Sequence, residues 1–115
     1  MNRHYFPLVF FILYCLSGLS QEKKAGPIIE KYGEVWTIEN PDFKTDTSQE
    51  FKVVFDVMDS PSSHEEINKK LETAARFLNM HAQSGVPKSQ LKVAIIVHNQ
   101  ASKDITQDEA YRARF

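Results

Sequence analysis

Residues 91–97 read LKVAIIV, six apolar side chains in seven with only Lys92 interrupting. A strand with one wet face alternates. A near-continuous apolar run implies burial on both faces, as in an interior strand of a parallel sheet. Parallel neighbours cannot be joined by a tight hairpin and need a crossover, usually a helix. The preceding residues supply one. FKVVFDV at 51–57 is β-branched and aromatic, and Asp59-Ser60-Pro61 bounds it downstream. Ser62 and Ser63 each have a glutamate three residues on, Glu65 and Glu66, which is the capping-box spacing. Ile67, Leu71, Ala74, Ala75, Leu78 and Ala82 then recur every three or four residues as one apolar stripe. Gly85 stands where a left-handed cap belongs, and Pro87 prevents continuation. Strand, helix, strand makes a βαβ unit, expected to be right-handed. Thr106 and Glu109 form another capping box, predicting a second helix from near Gln107, with Asp108 and Glu109 in its first turn and Arg112 and Arg114 near its end.

Residues 21–50 form a mixed leader. Gly26-Pro27 is a turn signal, Pro27 opens a predicted helical turn through Tyr32, and Gly33 closes it. Glu34–Ile38 (EVWTI) is expected to be a short strand, with Val35 and Thr37 facing away from Trp36 and Ile38. Asn40-Pro41-Asp42 breaks it, and 42–50 reads as polar loop.

Residues 1–20 have the pattern of a secretory signal peptide. Arg3 and His4 give a basic start, Phe6–Leu16 is apolar apart from Pro7, and Gly18 and Ser20 are the small residues of a cleavage site after Ser20. The apolar run of 11 residues falls short of the roughly 20 that a membrane-spanning helix needs, so no stable membrane anchor is expected after cleavage and the location is periplasmic or secreted. The single cysteine, Cys15, lies inside this segment behind Tyr14, a poor context for lipoprotein processing. A chain beginning at Gln21 carries no thiol, which excludes a disulfide scaffold, a thiolate metal site and a cysteine nucleophile within it. Arg3 is the one charged residue of 1–20, so 13 Lys+Arg remain against 15 Asp+Glu. That near-neutral balance lacks the basic footprint of a nucleic-acid binder.

In open parallel sheets, ligands bind beyond the carboxyl ends of the strands. That edge carries Asp59 after the first strand and His98 and Asn99 after the second. In one reading Asp59, His98 and Asn99 converge on a small ligand while the helix start at Ser62 and Ser63 offers free N–H groups to an anion. In the other, Asp59 and the serines cap the helix and His98 ends a strand. His81 is expected to be a partly buried or capping histidine, and Glu65, Glu66, Lys69 and Lys70 a solvated, ion-paired helix face. His64, His81 and His98 lack the i, i+4 spacing of a pre-built metal site, so no metal is assigned. Gly26, Gly33 and Gly85 are too scattered for a dinucleotide fingerprint or phosphate loop, and no Gly-x-Ser-x-Gly elbow occurs. No cofactor and no catalytic residue is assigned.

Several stretches resemble the DsrE/DsrF-like family of small sulfur-relay proteins in its exported branch. They are Gly26-Pro27-Ile28-Ile29, Tyr32-Gly33, Asn40-Pro41-Asp42-Phe43, the strand 51–57, Ala75 to Ala82, Gly85-Val86-Pro87, Val97-His98 and Asp108-Glu109-Ala110-Tyr111. The resemblance covers most of 26–115 and rests on order and spacing. It implies an α/β fold of three layers, α/β/α, around a parallel sheet of about five strands, usually as a homo-oligomer. Where the family has activity, it passes sulfur as a persulfide on a cysteine in the later half of the domain, and no residue here matches that cysteine. The family more often carries Gly after the strand-end histidine, where this chain has Asn99.

The expected organisation is a signal peptide at 1–20, a leader at 21–50 and the N-terminal part of a DsrE-like domain at 51–115, truncated after the second core strand and the start of the next helix. Two functional readings follow. One is an exported DsrE-like protein with persulfide relay carried by residues missing from this chain, its sulfur donor or small-molecule partner unassigned. The other is a non-catalytic module that binds a small ligand or assembles with another subunit.

Overall fold

A computed structural model describes residues 21–63, 65–106, 108 and 109. The expected signal peptide, His64, the helix start at Gln107, and Arg112 and Arg114 lie outside them. Among the described residues the elements follow in the order β1 (Lys23–Lys24), β2 (Val35–Trp36), β3 (Phe51–Val57), α1 (Lys69–Gln83) and β4 (Leu91–Val97). One-turn 3-10 segment Lys88–Gln90 leads into β4, and a longer one, Asn99–Ile105, follows it.

The expected βαβ unit is present, and both long strands have the predicted bounds. β3 and β4 pair in parallel, from Phe51 opposite Leu91 to Val57 opposite Val97, and α1 packs on both. Side chains alternate across a strand, so Phe51, Val53, Phe55 and Val57 share the face under α1 with Leu91, Val93, Ile95 and Val97. Phe55 meets Phe77 of α1 edge-on, with ring centroids 6.3 Å apart. His81 lies between Phe77 and Phe51, at 4.2 and 4.6 Å, and its Nδ1 is 2.8 Å from the Phe77 carbonyl oxygen. It is a partly buried histidine, as expected. Val57 is fully enclosed, a burial that contributes about 1.5–3 kcal/mol.

The other face of the sheet is different. Lys52, Val54 and Asp56 of β3 and Lys92, Ala94 and Ile96 of β4 are all exposed, Val54 at 63% and Ile96 at 57%. Burial of β4 on both faces is therefore not found among the described residues. Helix α1 covers one side, and the apolar run that predicted two covered faces meets solvent on the second.

The helix also starts later than its serine–glutamate spacing predicts. Ser63 forms a local turn, its Oγ accepting from the Glu65 amide at 3.2 Å and its carbonyl from Glu66 at 3.2 Å. The true N-cap is Asn68, whose Oδ1 accepts from the Lys70 amide at 3.0 Å. Ile67, expected on the apolar stripe, is exposed, while Ala74 is buried and Leu71, Ala75, Leu78 and Ala82 are half-buried. At the other end Gly85 adopts φ +92. Its amide bonds Ala82 O at 3.0 Å, and that of Val86 bonds His81 O at 3.0 Å. This is the Schellman pattern, with Val86 buried beneath it.

The leader runs back along α1. Gln83 Nε2 donates to Lys24 O and Gly26 O at 3.1 and 2.8 Å, and Arg76 Nε donates to Glu34 O at 3.3 Å. Between them Asn79, fully buried, receives the Ile28 and Ile29 amides on Oδ1 at 3.2 and 2.9 Å. Its Nδ2 donates to the carbonyls of Ile29, Tyr32 and Gly33 at 2.9, 2.9 and 3.1 Å. The predicted helical turn at 27–32 is absent, and these residues form bends. Two amides a helix would leave free at its start are taken by a side chain about fifty residues away. Gly33 does adopt the left-handed φ of +72, and a Cβ built there collides with the α1 backbone at Ala75 and Arg76. The strand expected at 34–38 shortens to Val35–Trp36, Val35 buried and Trp36 exposed. It pairs antiparallel with Lys23–Lys24 rather than joining the parallel sheet.

Candidate functional site at the carboxyl edge of the sheet

The parallel register carries the chain past Val57 and Val97 at the same edge, so both following segments emerge together. They are stitched by backbone bonds from the His98 amide to Val57 O at 3.1 Å and from the Ala101 amide to Met58 O at 3.0 Å. Ala101 is fully buried at that junction. Asn99 makes the turn with φ +52. Asparagine tolerates this left-handed conformation better than most residues, so it occupies a backbone shape that glycine also adopts.

The five residues singled out from the sequence do not converge on one point. His98 Nε2 lies 2.7 Å from Asp56 Oδ1 on the outer face of the sheet. Asp59 pairs instead with Lys70, Oδ2 to Nζ at 3.1 Å. Ser63 is engaged in its own turn, and Ser62 is exposed. Neither serine stands at the helix start, which Asn68 occupies one turn further on. The ion pairs expected within the Glu65, Glu66, Lys69 and Lys70 cluster are likewise replaced by the Lys70–Asp59 bridge, because both glutamates precede the helix.

A second cluster lies where the loops meet α1. Asp104 receives the Ser60 hydroxyl on Oδ1 at 2.5 Å and Asn68 Nδ2 on Oδ2 at 2.6 Å. Asn68 Nδ2 also donates to Asp59 O at 2.8 Å. Asn68, Asp104 and Asp56 are the residues that sequence reasoning missed. Asn68 stands just ahead of the apolar stripe, a usable N-cap signal hidden by the serine–glutamate pairs. Asp104 is 36 residues away from Asn68, and no local pattern announces it.

Chemically, the charged groups of this edge are paired with each other, His98 with Asp56 and Asp59 with Lys70. In the tautomer of His98 that donates from Nε2 to Asp56, Nδ1 is left as a hydrogen-bond acceptor. Among the described residues no hydroxyl or thiol is hydrogen-bonded to that ring. Among the described residues no group of three or more His, Cys, Asp or Glu side chains is placed to hold a metal ion. Every buried side-chain polar atom among them has a partner. No described helix is long and apolar enough to cross a membrane. Compared with known protein families, with curated proteins and with solved structures, the chain finds no match in any of the three.

Proposed function

We propose that this chain is an exported, non-catalytic α/β assembly module, in which the outer face of the β3–β4 sheet is covered by another polypeptide. The observation that carries this reading is the contrast between edge and face. The charged groups of the carboxyl edge pair with one another, His98 with Asp56 and Asp59 with Lys70, while Val54, Ala94 and Ile96 stand open to solvent on a strand pair whose composition calls for cover. Export rests on the signal-peptide pattern of 1–20. The test is to place a photo-crosslinking side chain at Ile96 of the protein produced in its own host, and to determine its amino terminus. Adducts at Ile96 and a start at Gln21 are expected. A protein that gives no adduct, with residue 96 freely labelled by solvent probes, overturns the assembly reading.

A second reading draws on the parallel βαβ unit at 51–97, which lies within the stretch of the DsrE-like resemblance. In it, the unit belongs to a three-layer α/β/α domain whose second helical layer lies on that same face, and the protein relays sulfur as a persulfide. The thiol would come from outside 21–115, which contain no cysteine. Persulfide formation on the native product after polysulfide loading supports this reading, and its absence removes it.

A further inference from the structure

The outer face is a ladder of three rungs, Lys52 opposite Lys92, Val54 opposite Ala94, and Asp56 opposite Ile96. All six side chains are exposed. Its charges are sorted along the strands, with both cations at the amino end, the carboxylate at the carboxyl end, and the apolar rung between them. Glu50 reaches Lys52 at 2.7 Å and His98 reaches Asp56 at 2.7 Å, but Lys92 has no ion-pair partner among the described residues.

We infer that this face is the contact between two copies of the chain, stacked sheet on sheet with their strands reversed. The inference rests on the assembly reading and names its partner. A twofold contact must be self-complementary, each patch meeting itself. A twofold axis between the sheets and perpendicular to the strands lays β3 on β3 of the second copy, antiparallel. Val54 then meets Val54, and Lys52 stands over Asp56 of the second copy, twice. An axis along the strands keeps their direction and sets Lys52 over Lys92 of the second copy, gathering four cations on one rung. Like charges facing each other oppose docking, so the charge order selects the reversed stack. A partner of a single charge sign complements only one end of β3, whereas a reversed copy complements both, with Lys92 over Ile96 of the second copy.

The size of the face sets the strength. Two seven-residue strands span roughly 23 Å by 10 Å, about 250 Å² per copy. That is well below the roughly 800 Å² per partner of a standard stable interface. The dimer is therefore weak and forms only at high protein concentration.

The test uses the full chain. Val54→Cys is treated with a bis-maleimide of about 10 Å reach, matching the spacing of stacked sheets, with the wild-type chain as the control for Cys15. The expected product has twice the chain mass. In sedimentation equilibrium, Lys52→Glu is expected to raise Kd about tenfold, and adding Asp56→Lys to return it toward the wild-type value. A Lys52→Glu chain that associates more tightly overturns the reversed stack. A crosslink from Val54→Cys to a polypeptide of another mass, in protein taken from its own host, overturns the second copy while leaving the assembly reading standing. A chain that stays monomeric to about 1 mM and crosslinks to nothing overturns both.

Discussion

Asn79 and Asn68 are the two buried polar side chains among the described residues, one toward each end of α1. Asn79 is fully enclosed, and all five of its hydrogen bonds go to leader backbone. Asn68 caps the helix and donates to the Asp104 carboxylate and the Asp59 backbone carbonyl, beside the exposed Lys70–Asp59 ion pair. The first joint is neutral and dry, so its strength depends on leaving no group unpaired. The second is built on charge beside solvent, where ion pairs are worth little and are screened by salt. The fold thus holds its leader firmly and its carboxyl edge loosely, although both joints use the same residue type.

The largest break in this comparison is expected from Asn79→Leu. It keeps the volume but strands the Ile28 and Ile29 amides and three carbonyls, a loss of about 3–5 kcal/mol. Urea unfolding measures it, with amide exchange at Ile28 and Ile29 accelerating first. An unchanged midpoint would mean that water serves the leader as well as Asn79 does. Gly33→Ala attacks the same joint by overpacking and by its positive φ, and is expected to cost about 2–4 kcal/mol. Asn68→Ala at the other joint removes a cap and two further bonds among exposed groups, and should cost about 1–2 kcal/mol.

The smallest effect lies in the loop before β3. Hydrogen bonds from Ser48 and then Gln49 hold the exposed Asp46 carboxylate below its ordinary pKa. A depressed folded-state value adds stability above the ordinary carboxylate pKa and loses it as pH falls through the lower one. Asp46→Asn should therefore lower stability slightly at neutral pH and flatten the acid limb, the two chains converging once the Asp46 carboxylate is protonated. Acid titration of both chains by circular dichroism checks it.

How much of this was legible depends on how far each residue's partners lie along the chain. β3 and β4 read correctly because seven consecutive residues carry their own signal, and Gly85 because a helix cap is local. The helix start was misplaced because Ser62–Glu65 and Ser63–Glu66 imitate a capping box, while Asn68 caps through its next neighbours but one. The leader turn failed for the opposite reason, since what satisfies its amides is Asn79. A polar residue four positions after Ala75, beside the apolar stripe, was the available sign. At the carboxyl edge the sequence placed His98 and Asp59 correctly at strand ends. Their partners, Asp56 and Lys70, come from side chains that no spacing rule connects to them.

The bonds that hold residues 28–33 to Asn79 each close a span of 46 to 51 residues. Closing such a span costs chain entropy that nothing within the leader can offset beforehand. A chain delivered amino terminus first therefore presents its leader without a lasting partner until most of α1 has followed. Residues 28–33 are thus fixed by a helix that emerges after them, so their order of synthesis and their order of locking are reversed.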